Sequence, residues 1–445
     1  MSFKRKILIL LLAAMSSLLL SGCILRISAD DLYRLPAVSE DYLRLQSHIN
    51  MILSDGAEFS PPISGPNRHS VQLVDIDGDG VEEVIAFFSI PGDSALKIYI
   101  FEMIDGDYSI AEIITGAGTA IESIRYVDLN GDGVLEIIVG WQLGDAIKHI
   151  EVYSMHDLNA VLIYGGEYDG ITIFDINDDG NDDIIIVRTA AAEIGPIAQA
   201  IIMTDNREIS SSTISLSAGI ENITRVFRGL LRDGVPALFF EGEGNFEEGS
   251  FVTDIAAFSR GEFTNVTLNP YSLVSDATVR QRRLHSADLS GDGVIKVPIS
   301  RRLRSQSDTA YYVVDWYAFD SRGNSDLSVT TYHNPTDEWF LILPPDFRDV
   351  VTVRREDVVT GERTVIFSFD DGREKVDILS IFRLTSDARE ERARLPGRVR
   401  LMAEGTSVFA FELLVPPDSF GLTLNEEMVF ENFNLIFSDW FAGTF

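Results

Sequence analysis

Four segments of this chain align without gaps around the pattern Asp-x-Asp/Asn/Ser-x-Asp-Gly: Val71–Phe88, Ile124–Trp141, Ile171–Val187 and Leu284–Pro298. A fifth, Phe227–Phe240, keeps an Asp-Gly turn at Asp233-Gly234 but lacks the early carboxylates. The first loop positions are Asp75, Asp128, Asp175, Gly229 and Asp288, separated by 53, 47, 54 and 59 residues. A spacing near fifty residues is too long for paired-helix solenoid units and suits a four-stranded sheet per repeat. Each loop runs into a short unbroken apolar stretch, such as Val84–Phe88, Ile137–Val139, Ile184–Val187 and Leu238–Phe240. A half-exposed strand would alternate, so continuous apolarity predicts strands covered on both faces, as in sheets stacked between neighbours. Lys97–Glu102 and Ala310–Trp316 are more mixed and read as outer strands.

The loops also carry chemistry. Ca²⁺ is a hard cation that takes six to eight oxygens at about 2.3–2.6 Å. Alternate acidic side chains on one tight turn converge on such an ion, with glycine supplying the left-handed backbone and a late carboxylate closing the shell. The candidate ligands are Asp75, Asp77, Asp79 and Glu83; Asp128, Asn130, Asp132 and Glu136; and Asp175, Asn177, Asp179 and Asp183. The fourth loop offers Asp288, Ser290 and Asp292, but Lys296 replaces the late carboxylate, and its ammonium could itself fill the cation position. Calcium is therefore expected at three loops, and at the fourth only if Lys296 leaves room. The metal-free alternative is an Asp-Gly hairpin satisfied by Asx turns. An EF-hand is excluded, because its twelfth-position Glu would fall on Ala86, Val139 or Ile186, inside apparent strands.

These repeats resemble FG-GAP or VCBS-type repeats, the β-propeller units of integrin α-chains and many bacterial surface proteins. The resemblance spans roughly residues 65 to 335 and rests on the acidic loops; Phe-Gly and Gly-Ala-Pro signatures are not evident. It implies a mainly β fold, a propeller of five to seven blades with bound calcium. It fixes no function, since the same fold hosts adhesion, lipid, sugar and enzymatic roles.

The N-terminus reads as an address. Lys4-Arg5-Lys6 precedes fourteen almost purely apolar residues, Ile7–Leu20, a length that suits a signal peptide better than a membrane span. Leu20-Ser21-Gly22-Cys23 resembles the lipobox of bacterial lipoproteins, which implies cleavage after residue 22 and lipidation of Cys23. Cys23 is also the lone cysteine, so no intrachain disulfide can form. Two acyl chains would hold the chain stably on a membrane, so the expected location is the extracytoplasmic face of a bacterial envelope. The chain carries 36 basic and 69 acidic residues, a formal charge of −33. So negative a surface repels phosphate backbones and argues against nucleic-acid binding.

The expected organisation is a signal peptide over 1–22, a tether and helix over 23–64, the repeats over 65–334, and a C-terminal region over 335–445. The helix would be capped by Ser39, present Tyr42, Leu45, Ile49 and Ile52 on one face, and stop at Gly56. The C-terminal region reads as a small α+β domain or as degenerate blades. Its expected strands are Phe340–Leu343, Val350–Val353, Thr364–Phe369 and Val408–Glu412, followed by a helix opened by a Thr423–Glu426 capping box and a last strand through Leu435–Phe437. Arg301, Arg302 and Arg304, and Arg389, Arg392, Arg394, Arg398 and Arg400, read as solvated faces paired with nearby acids, or else as a docking site for an anionic polymer. Glu241–Gly249 reads as an acidic loop between strands.

The six histidines, at 48, 69, 149, 156, 285 and 333, form no zinc spacing, and His285 reads as an ordinary strand-face residue. No Gly-x-Ser-x-Gly elbow, P-loop or Rossmann signature is present. The expectation is a non-enzymatic binding module for a protein or glycan of the envelope. The alternatives are an envelope hydrolase or lyase that uses the propeller as scaffold, and a purely structural envelope component. Trp141, Trp316, Trp339 and Trp440 are candidates for an exposed aromatic binding patch, with core packing as the simpler role.

Overall fold

The structure is a computed structural model that describes residues 40–436, apart from 91–94, 145, 190–194, 205, 247–248, 282 and 304–310. The leader, Cys23, the capping Ser39, Arg304 and Trp440 lie outside the described residues. The chain is mainly β. Its described strands form six antiparallel sheets, taken up one after another along the sequence except that the last strand, Phe433–Leu435, returns to the fifth.

The second, third and fourth sheets are plain four-stranded meanders. The first repeats that pattern with Val71–Val74, Glu83–Ser89, Ala95–Ile104 and Asp107–Ala117, and adds the two-residue strand Glu58–Phe59 on the edge where Val71–Val74 also pairs. Each of the first three acidic loops joins the first strand of a sheet to the second: Val71–Val74 to Glu83–Ser89, Ala120–Val127 to Glu136–Gln142, Gly170–Phe174 to Asp183–Arg188. The fourth leads into Lys296–Arg302, the first strand of the fifth sheet, and is closed by a single bridge between Ala287 and Lys296.

The unbroken apolar runs are those second strands, and their alternating side chains serve two different cores. Ile85 and Phe87 pack toward the second sheet, whereas Val84, Ala86 and Phe88 pack toward the N-terminal helix. Ile137, Val139 and Trp141 face the first sheet, and Ile138 the third. The same division places Ile184 and Ile186 against the second sheet and Ile185 and Val187 against the fourth. Further clusters join the fourth sheet to the fifth and the fifth to the sixth. A fully buried apolar side chain contributes about 1.5–3 kcal/mol, so each inter-sheet layer is a core in its own right.

The closed ring expected from the resemblance is not what the described residues form. No cluster among them joins the sixth sheet to the first, and the free face of the first sheet is covered by the helix Glu40–Ser54 through Leu45 and Ile49. The physical reason lies in the helix itself. Its narrow apolar stripe finds the exposed face of the first sheet, and Gly56, at φ 95°, turns the chain into that sheet. Tyr42, expected on the buried face, is 54% exposed. No described helix is long and apolar enough to cross a membrane.

The boundary expected between 334 and 335 runs through a hairpin. Ser325–Asn334 pairs with Trp339–Leu343, and the late strand Phe433–Leu435 adds to the outer edge of the same fifth sheet. Asn334-Pro335 reads as a linker by composition, but its turn is pinned from outside. Asp337 is buried, accepts from Asn334 at 2.9 Å, and is held by Arg363 and Arg383 of the sixth sheet at 2.7 and 3.1 Å. Residues 351–413 then supply the sixth sheet, in which Arg398–Glu404 takes the outermost place and Ser407–Leu413 returns inside it.

Other expectations also shift. Lys97–Glu102 lies in a largely buried third strand, and the strand Tyr312–Phe319 is a buried second strand. The C-terminal helix spans Glu426–Asn432, with Asn425 rather than Thr423 as its cap, accepting from the Met428 N–H at 2.8 Å. Glu241–Gly249 is not an acidic loop: Pro236–Phe246 is a strand that pairs with Gly249–Ser259. Of the basic clusters, Arg301 binds Asp315, Arg398 binds Glu362 and Arg400 binds Glu390, which accounts for those side chains within the fold.

Candidate metal centre

The four acidic loops share one internal hydrogen-bond pattern. The first aspartate caps the turn with both oxygens: Asp75 accepts from the Gly78 and Gly80 N–H groups at 2.9 and 3.0 Å, and Asp128 from Gly131 and Gly133 at 2.7 and 2.9 Å. Asp175 accepts from Asp179 and Gly180 at 3.2 and 2.9 Å, and Asp288 from Gly291 and Gly293 at 2.9 and 2.7 Å. The third acid caps two residues on, as Asp79, Asp132, Asp179 and Asp292 accept from Val81, Val134, Asn181 and Val294. Glycines 80, 133, 180 and 293 all sit at positive φ, between 79° and 95°, where a β-carbon is disfavoured.

The late carboxylate is buried beneath each of the first three loops. Glu83, Glu136 and Asp183 are at most 2% exposed, and each accepts the N–H of the residue after the first aspartate: Ile76 at 2.8 Å, Leu129 at 3.1 Å and Ile176 at 3.1 Å. Those three apolar residues are themselves buried between sheets, so each loop is anchored in a core at one end and aims its acids outward at the other.

In the first loop, ligand oxygens of Asp75, Asp77 and Glu83 all lie within 4.8 Å of one another. That is the span of one coordination sphere, since oxygens on opposite sides of a Ca²⁺ are about 4.6–5.2 Å apart. Burial, reinforced by the charges of Asp77, Asp79 and Asp75, pushes the Glu83 carboxyl up to about 7. Burial and the charges of Asp179 and Asp175 do the same to Asp183. Glu136 is also raised, burial again leading. Among the described residues no Lys or Arg side chain pairs with the acids of the first or third loop.

The fourth loop does not fit a metal in the same way. Lys296 is buried, and its Nζ lies 2.8 Å from Asp292 Oδ1, 2.9 Å from Ser290 Oγ and 3.5 Å from Asp288 Oδ1. The ammonium stands among the oxygens that the other loops direct at one another.

The loops lie side by side. The Leu135 N–H donates to the Ile76 carbonyl at 2.7 Å, tying the second loop to the first. A β-carbon on Gly131 would meet Asn181 Oδ1 of the third loop at 2.7 Å. The degenerate turn of the fourth sheet pairs in turn with the fifth-sheet loop, through Leu230 with Gly293 and Ile295.

Two features were not visible in the sequence. Arg207, from the hairpin of the third sheet, reaches Asp132 of the second loop. Glu241, fully buried, is bound by His285 Nδ1 at 2.5 Å, by Arg280 Nη2 at 3.3 Å and by the Ser286 N–H at 2.6 Å. Burial opposes the Glu241 charge, but the His285 hydrogen bond and the Arg280 charge outweigh it and hold the carboxyl below its usual range. His285 also borders a cavity of about 210 Å³ lined by Tyr312, Trp316 and His333. Trp141, Trp316 and Trp339 are 1% exposed and belong to the core.

Residues 75–139, the first two loops and the strands between them, match the FG-GAP-like repeat family. No curated protein matches the chain. A solved structure of a protein from Lactobacillus plantarum is 13% identical, covers 71% of this chain and 85% of its own, and has a TM-score of 0.27. The family finding is confined to the repeat itself: this chain carries an FG-GAP-like repeat at its first two acidic loops.

Proposed function

We propose that the chain is a lipid-anchored, extracytoplasmic binding module, built from propeller-type repeats whose first three acidic loops hold calcium. The observation that carries the metal reading is the convergence of Asp75, Asp77 and Glu83 oxygens inside one coordination sphere, above a buried carboxylate with no Lys or Arg counter-charge among the described residues. Asp79 would complete that set in the first loop; Asp128, Asn130, Asp132 and Glu136, and Asp175, Asn177, Asp179 and Asp183, would hold the ion in the second and third. Calcium supplies charge neutralisation there, and the protein's own residues supply the shape: backbone N–H groups orient each acid before any ion arrives. Where only the folded form binds, the gain is RT ln(1 + [L]/Kd), about 2.7 kcal/mol per site at a hundredfold excess.

In this reading the stacked sheets are a rigid scaffold and the row of loops stiffens one end of it, while Cys23 fixes the chain to the membrane and a protein or glycan of the envelope is the ligand. The module is read as non-enzymatic. Chelation should lower the melting temperature, and Asp77→Ala should remove the part of that response that belongs to the first loop. Equal melting with and without chelator would overturn the calcium reading. Retention of a Cys23→Ser variant in the membrane fraction would overturn the anchor, and release of product from envelope glycans would overturn the binding role.

A further inference from the structure

The second loop contains a cation contributed by another sheet. Arg207 lies in the turn between the strands Ile197–Met203 and Ile209–Ser215 of the third sheet, at φ 61°. Its Nη2 and Nε both donate to one oxygen, Asp132 Oδ2, at 2.6 and 2.9 Å, and its Nη1 donates to the Met155 carbonyl at 3.2 Å. The guanidinium thus spans a loop acid and the third strand of the second sheet.

Comparison among the loops shows what this replaces. In each, Oδ1 of the third acid is committed to a backbone N–H, so Oδ2 is the oxygen left to face a metal. Among the described residues Asp79 Oδ2 has no hydrogen-bond donor, and Asp179 Oδ2 accepts only from the Asn177 amide at 2.8 Å. In the second loop Oδ2 carries the Asn130 amide at 3.1 Å and, in addition, both Arg207 donors. The fourth loop shows the same solution from within, where Lys296 binds the loop acids directly. Lys296 is buried and fixed, whereas Arg207 is 29% exposed and rides on a surface turn.

We propose that Arg207 is a built-in competitor for calcium at the second loop. It neutralises Asp132 in the metal-free chain and must give up Oδ2 when a divalent ion is bound there. This inference rests on the calcium reading above. It makes the second loop weaker for calcium than the first, and it makes occupancy of the second loop release a contact between the second and third sheets.

The test is calcium titration by calorimetry on the wild type, Arg207→Gln and Arg207→Lys, with melting in chelator to check folding. Removing a guanidinium from the coordination sphere should tighten one class of site by roughly tenfold or more, leaving the others in place; Lys, which keeps the charge but loses the two-pronged geometry, should give a smaller gain. In the wild type, the Arg207 Nε–H resonance should lose its protection as calcium is added. Wild-type binding with no tightening in Arg207→Gln, or an Arg207 resonance indifferent to calcium, overturns the competition alone. Absence of calcium binding in both proteins overturns the calcium reading with it.

Discussion

A β-carbon placed on Gly78 would lie 2.5 Å from the carbonyl oxygen of Gly133, so the first and second loops touch backbone to backbone at that point. Gly78 is also at φ +75°. Gly78→Ala should therefore combine left-handed strain with a clash and cost about 2–4 kcal/mol in urea unfolding. Gly80→Ala, at φ +89° with no atom within 4 Å, should cost only the conformational part, about 1–2 kcal/mol. Equal losses in the two variants would show that the loops do not bear on each other.

Lys296 is the counter-charge of the fourth loop. Lys296→Gln leaves Asp288 and Asp292 facing each other without it and should cost about 2–3 kcal/mol. Because the cation is covalent, that loss should be the same in chelator and in calcium. A loss that calcium erases would mean that a metal can take the ammonium's place.

Glu83 should respond with opposite signs in the two conditions. Its folded-state value of about 7 lies above the ordinary 4.5, so the metal-free fold holds a proton that the unfolded chain has released. Metal-free stability should accordingly fall as pH rises from about 4.5 to about 7 and be level above that. At pH 8 Glu83→Gln should raise the melting temperature in chelator and lower it in calcium. A change of one sign in both conditions would separate the carboxylate from any metal role.

His333 acts in the other direction. Burial lowers it to about 4 from 6.5, and its ring stacks on Phe340 at 5.3 Å between centroids. Between those values the unfolded chain takes up a proton that the folded chain refuses, so its contribution to stability is lost as pH falls from about 6.5 to about 4. His333→Phe should flatten that acid limb of the stability curve. An unchanged slope would place the acid sensitivity elsewhere.

Much of the fold could be read from spacing because its determinants are local. The Asp75–Glu83 loop closes on itself within nine residues, and the hydrogen bonds that shape it depend only on which residue stands two, three, five or seven places on. The strands after each loop were equally legible, since Val84–Phe88 or Ile184–Val187 must be covered on both faces whatever covers them. The N-terminal helix followed from the same kind of periodicity, with Leu45 and Ile49 as its buried positions.

What spacing could not reveal is which sheet meets which. Arg207 lies 75 positions from Asp132, and Glu241 lies 44 from His285; neither partner is marked by its neighbours in sequence. Phe433–Leu435 returns to the fifth sheet because an open edge on Trp339–Leu343 is there to pair with, and the helix rather than the sixth sheet covers the first. The amino-acid sequence alone determined the repeats, their loops and their doubly buried strands, since each is set by interactions a few residues long. The stacking decided the rest, because a buried charge or a sheet edge is satisfied by whatever the packed layers bring within about 3 Å of it.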